Sequence, residues 1–128
     1  MAIDKAAPIL VVDDYAPLRR ILRGLLLQLG FAAVDEAADG GAALAMLRRK
    51  AYGLVVSDWS MRPVGGLDLL RQVRADAALR HLPFVMLTAE CRTENVIAAR
   101  EAGVSGYIVK PFDLDVLRAK ITGLAVAC

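Results

Sequence analysis

Histidine and cysteine are scarce in this sequence. One histidine, His81, and two cysteines, Cys91 and Cys128, are all that its 128 residues supply. Two cysteines so far apart form no disulfide framework, and a reduced, cytoplasmic setting is expected. Long apolar runs are missing too. Stretches such as Ile9-Leu10-Val11-Val12 fall far short of the roughly 20 residues a membrane-crossing helix needs, so no membrane insertion is expected. No basic stretch followed by an apolar core opens the chain, which argues against an export signal. The net charge is only +2 and no concentrated basic stripe carries it, so direct nucleic-acid binding is not expected. There is no linker, low-complexity segment or internal repeat, and a single domain over 1–128 is predicted, with its core over about 8–126. Hydrophobic residues make up 57% of the whole and charged residues 23%, a balance that belongs to a folded protein.

What is present is an alternation. Short β-branched runs (Ile9 to Val12, a weaker Ala33 to Glu36, Leu54 to Ser57, Phe84 to Leu87, Gly106 to Val109) are each followed by a stretch of helical period. The first such stretch places Leu18, Ile21, Leu22, Leu25, Leu26 and Leu29 at helical spacing. Pro17 suits its first turn and Gly30 its end. Asp39 is placed to cap the second helix, and Arg48, Arg49 and Lys50 suit its negative C-terminal end. Gly65-Gly66 opens the third helix. Glu94 to Ala102 reads as the fourth, stopped by Gly103, and a fifth carries Leu114, Leu117, Ile121 and Leu124. Five strand-then-helix pairs imply an α/β fold of three layers, a doubly wound parallel sheet of five strands with helices on both faces. Such strands are expected to be apolar throughout, and the Ala33 to Glu36 strand is expected at an edge.

In such a sheet ligands bind beyond the carboxyl ends of the strands. The first strand there ends in Asp13-Asp14, the third in Asp58, the fourth in Thr88 and the fifth in Lys110-Pro111. Each has an ordinary use by itself: a helix cap, a second metal ligand, a β-branched strand residue, a solvated cation. Together they put three carboxylates, a hydroxyl and an ammonium on one rim. Adjacent carboxylates resist joint ionisation unless a cation relieves them, and magnesium suits a few oxygen ligands that leave room for water. Histidine and thiolate are absent from the rim, which argues against zinc. Asp58 can act as a nucleophile toward phosphorus when a metal and cations neutralise the incoming charge, Thr88 and Lys110 contacting the phosphoryl oxygens. A lysine directly before proline can also be aimed by a cis bond. No glycine loop able to cradle a phosphate follows the first strand, where the chain reads Asp-Asp-Tyr-Ala-Pro-Leu-Arg-Arg, so no flavin or dinucleotide site is expected. His81 falls in the loop after the third helix and is read as surface decoration.

The segments Leu-Val-Val-Asp-Asp (10–14), Ser-Asp-Trp-Ser-Met (57–61), Leu-Thr-Ala-Glu (87–90) and Gly-Val-Ser-Gly-Tyr-Ile-Val-Lys-Pro-Phe (103–112) resemble the receiver domain of two-component response regulators, its chemotaxis branch above all. The resemblance covers nearly the whole chain. It implies a flavodoxin-like fold with strand order 2-1-3-4-5. It makes Asp58 the phosphoacceptor and gives magnesium the ligands Asp13, Asp14, Asp58 and the backbone carbonyl of Ser60. Thr88 and Lys110 become the phosphoryl-sensing hydroxyl and lysine, Thr88 and Tyr107 the switch pair, and Ser60 and Glu90 the neighbours that set phosphoryl lifetime. It further implies phosphorylation by a histidine kinase or histidine phosphotransfer protein and a downstream protein target, with a flagellar motor switch protein as the expected one. The chain is then a monomeric signalling switch and not an enzyme, beyond slow self-phosphorylation from small phosphodonors and slow autodephosphorylation.

The match has departures. Arg62 stands where the family commonly has proline, Pro63 comes one residue late, and Gly65 replaces an aspartate. These changes predict another path for the loop beyond Asp58 and an added cation near it. Ser60 replaces the asparagine of the chemotaxis regulators, and Thr93 replaces a lysine on their partner-binding face. A stand-alone receiver in another phosphorelay is the alternative function. An aspartate-nucleophile phosphohydrolase would share this chemistry, but Ser60 is not the general acid such an enzyme places two residues beyond its nucleophile. A receiver-shaped binding module that is never phosphorylated, and a receiver cut from a DNA-binding regulator, are the remaining readings.

Overall fold

The computed structural model describes residues 4–61, 63–89 and 92–123. Strands and helices alternate through it: β1 (Ile9–Val12), α1 (Ala16–Gln28), β2 (Val34–Ala37), α2 (Gly40–Arg49), β3 (Leu54–Asp58), α3 (Gly66–Ala75), β4 (Phe84–Thr88), α4 (Thr93–Glu101), β5 (Gly106–Val109) and α5 (Leu114–Gly123). All four strand pairings are parallel, and the order is β2-β1-β3-β4-β5. The chain steps outward from β1 to β2, then crosses back over β1 to begin β3. The winding therefore reverses between β1 and β3, and a crevice opens at their carboxyl ends.

Successive side chains on a strand face opposite ways, so each central strand supplies two cores. Leu10, Val12, Val55, Phe84, Met86 and Tyr107 meet Leu44, Leu47, Leu69, Leu70 and Val73 of α2 and α3 on one face. Ile9, Val11, Leu54, Val56, Val85, Leu87 and Ile108 meet Leu22, Leu26, Leu117 and Ile121 of α1 and α5 on the other. β2 departs from the apolar pattern because it is the edge. Its Asp35 and Glu36 are partly exposed, and Asp35 accepts from Tyr52 Oη at 2.6 Å and Lys50 Nζ at 2.9 Å.

The helix ends follow the expected chemistry. Pro17 lies in the first turn of α1. Asp39 Oδ1 accepts from the backbone N–H of Ala42 at 2.9 Å, capping α2. Gly30 and Gly103 turn the chain after α1 and α4 with φ of 99° and 90°, conformations that residues with a Cβ avoid. β2 runs one residue later than expected. β3 and β4 each run one residue past the apolar runs Leu54 to Ser57 and Phe84 to Leu87, and Asp58 and Thr88 are the last residues of their strands. Leu124 lies outside the described residues. Among those described, no helix is long and apolar enough to cross a membrane.

Candidate functional site

The turn from β1 into α1 is held by its own polar groups. Asp13 N donates to Ala37 O at 3.1 Å, and Asp13 Oδ1 accepts from Tyr15 N at 2.9 Å. These bonds leave Asp13 Oδ2 buried with no hydrogen-bond donor, 3.7 Å from Lys110 Nζ. Asp14, next in sequence, is exposed. Across the crevice Asp58 ends β3, and its Oδ1 accepts from Lys110 Nζ at 2.8 Å. Lys110 is brought there by β5, and its backbone N–H donates to Thr88 O at 2.7 Å. The Lys110-Pro111 peptide bond is cis. Asp13, Asp14 and Asp58 each offer a carboxylate oxygen, all within 4.8 Å of one another.

The electrostatics of this trio are unbalanced, since three carboxylates face one ammonium. Burial raises the Asp13 carboxyl above its ordinary value. The Tyr15 N–H bond and Lys110 pull it back, while Asp58 and Asp14 push it further up. A buried carboxylate oxygen without a donor, among hard oxygen ligands alone, fits a small divalent cation. Asp14 opens onto a cleft of about 420 Å³ lined also by Trp59, Ser60 and Met61. A second cleft of about 230 Å³, lined by Trp59, Ser60, Thr88, Ala89, Arg92 and Asn95, adjoins it.

Tyr107 lies below the rim, on β5 opposite Met86, two residues before the Val109 that pairs with Thr88. Its ring is fully buried, 6.3 Å from the Trp59 ring and edge-on to it. Burial raises the phenol's pKa and Thr88 lowers it, yet the Tyr107 hydroxyl makes no hydrogen bond among the described residues. Asp13, Asp14, Asp58 and Lys110 are thus drawn together, Thr88 and Ser60 border the same opening, and Tyr107 sits behind it. Glu90 and Arg62 lie outside the described residues. His81 is exposed on the α3–β4 loop, away from the rim.

Two supporting residues were not singled out from the sequence. Gly66 begins α3 so close to the site that a Cβ there would lie 2.2 Å from the Asp58 carbonyl oxygen and 2.8 Å from Met86 Sδ. The glycine was legible as a helix opener but not as a contact. Arg19 donates from Nη1 to Asp13 O at 2.6 Å and from Nε to Glu36 Oε1 at 3.1 Å. The signal existed: Arg19 precedes Leu22 by three positions and Leu26 by seven, so it falls on the buried stripe of α1.

Comparison with known proteins agrees with this geometry. Residues 9–122 match the family model of the response regulator receiver domain. The chain is 48% identical over 119 residues to chemotaxis protein CheY-3 of Vibrio cholerae, covering 93% of this chain and 92% of that one. It is 50% identical over 113 residues to chemotaxis protein CheY of Pseudomonas aeruginosa, covering 88% and 91%. Among solved structures, the chemotaxis response regulator CheY4 of Vibrio cholerae superposes with a TM-score of 0.86 at 29% identity, covering 94% of this chain and 99% of that one.

Proposed function

The chain belongs to the response regulator receiver domain family, and from that membership we propose that it is a chemotaxis switch phosphorylated on Asp58 by a partner histidine kinase or histidine phosphotransfer protein. CheY-like receivers are signalling switches of two-component systems rather than enzymes, and they interact with histidine kinases and downstream targets. The observation that carries the proposal is the convergence of three carboxylate oxygens within 4.8 Å, with Lys110 Nζ 2.8 Å from Asp58 Oδ1.

In the transfer, an Asp58 carboxylate oxygen attacks the phosphorus of a phosphohistidine. The P–N bond breaks and the electron pair leaves with the imidazole, which takes up a proton. Asp13, Asp14, Asp58 and the Ser60 carbonyl are the groups that would hold magnesium, which when bound neutralises charge on the phosphoryl oxygens. Lys110 exchanges its contact with Asp58 for one with a phosphoryl oxygen, and Thr88 donates to another. Two or three charge-assisted bonds at roughly 1.5–3 kcal/mol each reach the ~5.5 kcal/mol needed to invert a 1:99 equilibrium. Tyr107 is already buried in this structure, so the switch we infer lies between this inward ring and an outward one, with Thr88 deciding which the core accepts. Ser60 and Glu90 flank the water that ends the phosphoryl state.

The surface so altered comprises α4, β5 and α5. The naming of relatives at 48% and 50% identity as chemotaxis proteins supports a flagellar motor switch protein as its target. Thr93, standing where the chemotaxis regulators carry lysine, favours the second reading, a stand-alone receiver in another phosphorelay. In either reading we take residues 1–128 as one cytoplasmic, monomeric receiver domain with slow self-phosphorylation and autodephosphorylation.

The test is acetyl phosphate plus magnesium followed by intact-mass measurement. Wild type should gain the mass of one phosphoryl group, and Asp58→Asn should gain none. Addition that persists in the variant relocates the acceptor.

A further inference from the structure

The acid pair has a support that reaches it through the backbone. Arg19 stands in the first turn of α1, with only 18% of its side chain exposed. Its Nη1 donates to the carbonyl of Asp13 at 2.6 Å and its Nε to Glu36 at 3.1 Å. Glu36 lies on β2, paired in register with Val11. One guanidinium therefore ties together the end of β1, the start of α1 and the edge strand.

This bracket constrains the two carboxylates strongly. With its carbonyl taken by Arg19 and its N–H by Ala37, the peptide units on both sides of Asp13 are fixed in rotation. Its Oδ1 is taken by Tyr15 N, so Oδ2 alone is left to face Asp58 and Lys110. Asp14 follows directly, and its Cα direction is set by the same peptide plane. Arg19 bonds the main chain of Asp13 and not its carboxylate, so it acts on the direction of that side chain. The planar fork is essential to that work. A lysine ammonium carries its donors on one rotatable nitrogen and lacks the rigid fork whose separate Nε and Nη1 reach a carboxylate and a carbonyl at fixed positions.

We propose that Arg19, anchored by Glu36, is a positioning residue that aims Asp13 and Asp14 at the cation site and so sets its affinity for magnesium. This rests on the metal-assisted reading of the rim. Groups that orient metal ligands from behind are worth roughly 10–100-fold in metal affinity. Arg19 differs from the usual case in holding a ligand's main chain, not its side chain.

Trp59, the chain's single tryptophan, adjoins Asp58 and lines the cleft beside Asp14, so its fluorescence should respond to magnesium bound there. Magnesium chloride titrations of wild type, Arg19→Met, Arg19→Lys and Glu36→Gln should be read beside melting temperatures taken in EDTA. Dissociation constants should rise roughly tenfold or more in both Arg19 variants and less in Glu36→Gln, whose amide oxygen still accepts from Nε. At saturating magnesium, phosphorylation by acetyl phosphate should recover toward the wild-type rate in the Arg19 variants. Unchanged magnesium affinity in both Arg19 variants overturns the inference, even if their melting temperatures fall, because Arg19 would then serve only to fasten β2 to α1. If Arg19→Met does not fold, Arg19→Lys and Glu36→Gln decide by the same criterion. A wild-type protein whose fluorescence ignores magnesium defeats the reading of the rim itself, and this inference with it.

Discussion

Asp13 holds a charge that the folded protein resists. Its carboxyl is pushed above 3.8, chiefly by burial, so the native state binds that proton more tightly than the unfolded chain does. Between 3.8 and the folded value, unfolding releases a proton, and stability falls as pH rises through that window. Above it the cost is complete. Asp13→Asn keeps an acceptor for Tyr15 N–H and removes the charge. The variant should therefore melt above wild type at pH 7 in EDTA, the gap closing as the pH is taken below about 3.8. Magnesium should reverse the order. At 100 times its dissociation constant it would stabilise wild type by about 2.7 kcal/mol, and Asp13→Asn by less. Thermal melts with EDTA and with magnesium chloride check both halves, and a variant less stable than wild type in EDTA would count against this account of the acid trio.

Elements are where two glycines separate. Gly24 lies on the exposed face of α1, and nothing stands within 4 Å of where its Cβ would be. Gly24→Ala should raise stability by about 0.5–1 kcal/mol, since only backbone entropy changes. Gly66 opens α3, and its Cβ would collide with the Asp58 carbonyl at 2.2 Å. Gly66→Ala should cost roughly 1–3 kcal/mol, as an overpacked site does, and should slow phosphorylation by acetyl phosphate because Asp58 must shift. Urea titrations of the two variants should move in opposite directions. Helix ends were legible from sequence in most cases, because caps act within one turn: Asp39, Gly30, Gly103 and Pro17 all stand where local chemistry put them. Strand ends were less so. The apolar runs taken for β3 and β4 stopped at Ser57 and Leu87, one residue short of Asp58 and Thr88, which are paired within the sheet, since parallel pairing depends on neighbours far away in sequence.

At the scale of the whole molecule, two cores share one sheet. Leu22 on the α1 side and Leu69 on the α3 side are both fully buried, with the sheet between them. Leu22→Ala and Leu69→Ala should each cost about 2–5 kcal/mol. The double variant should show their sum within roughly 0.5 kcal/mol, in one unfolding transition seen alike by circular dichroism and by Trp59 fluorescence. Two separated transitions would mean that the layers unfold independently.

The sequence alone determined the alternation of strands and helices, the two-sided burial and the gathering of Asp13, Asp14, Asp58, Thr88 and Lys110 at one edge. Hydrophobic period and the parallel α/β rule are local or topological, and both can be counted along a chain. Only the tertiary structure decided which groups touch. Lys110 pairs with Asp58 rather than standing free, Tyr107 turns inward against Trp59, and Arg19 reaches back to the carbonyl of Asp13. Those choices depend on distances of a few ångströms between residues as many as 52 positions apart, and on burial that withdraws water as the alternative partner.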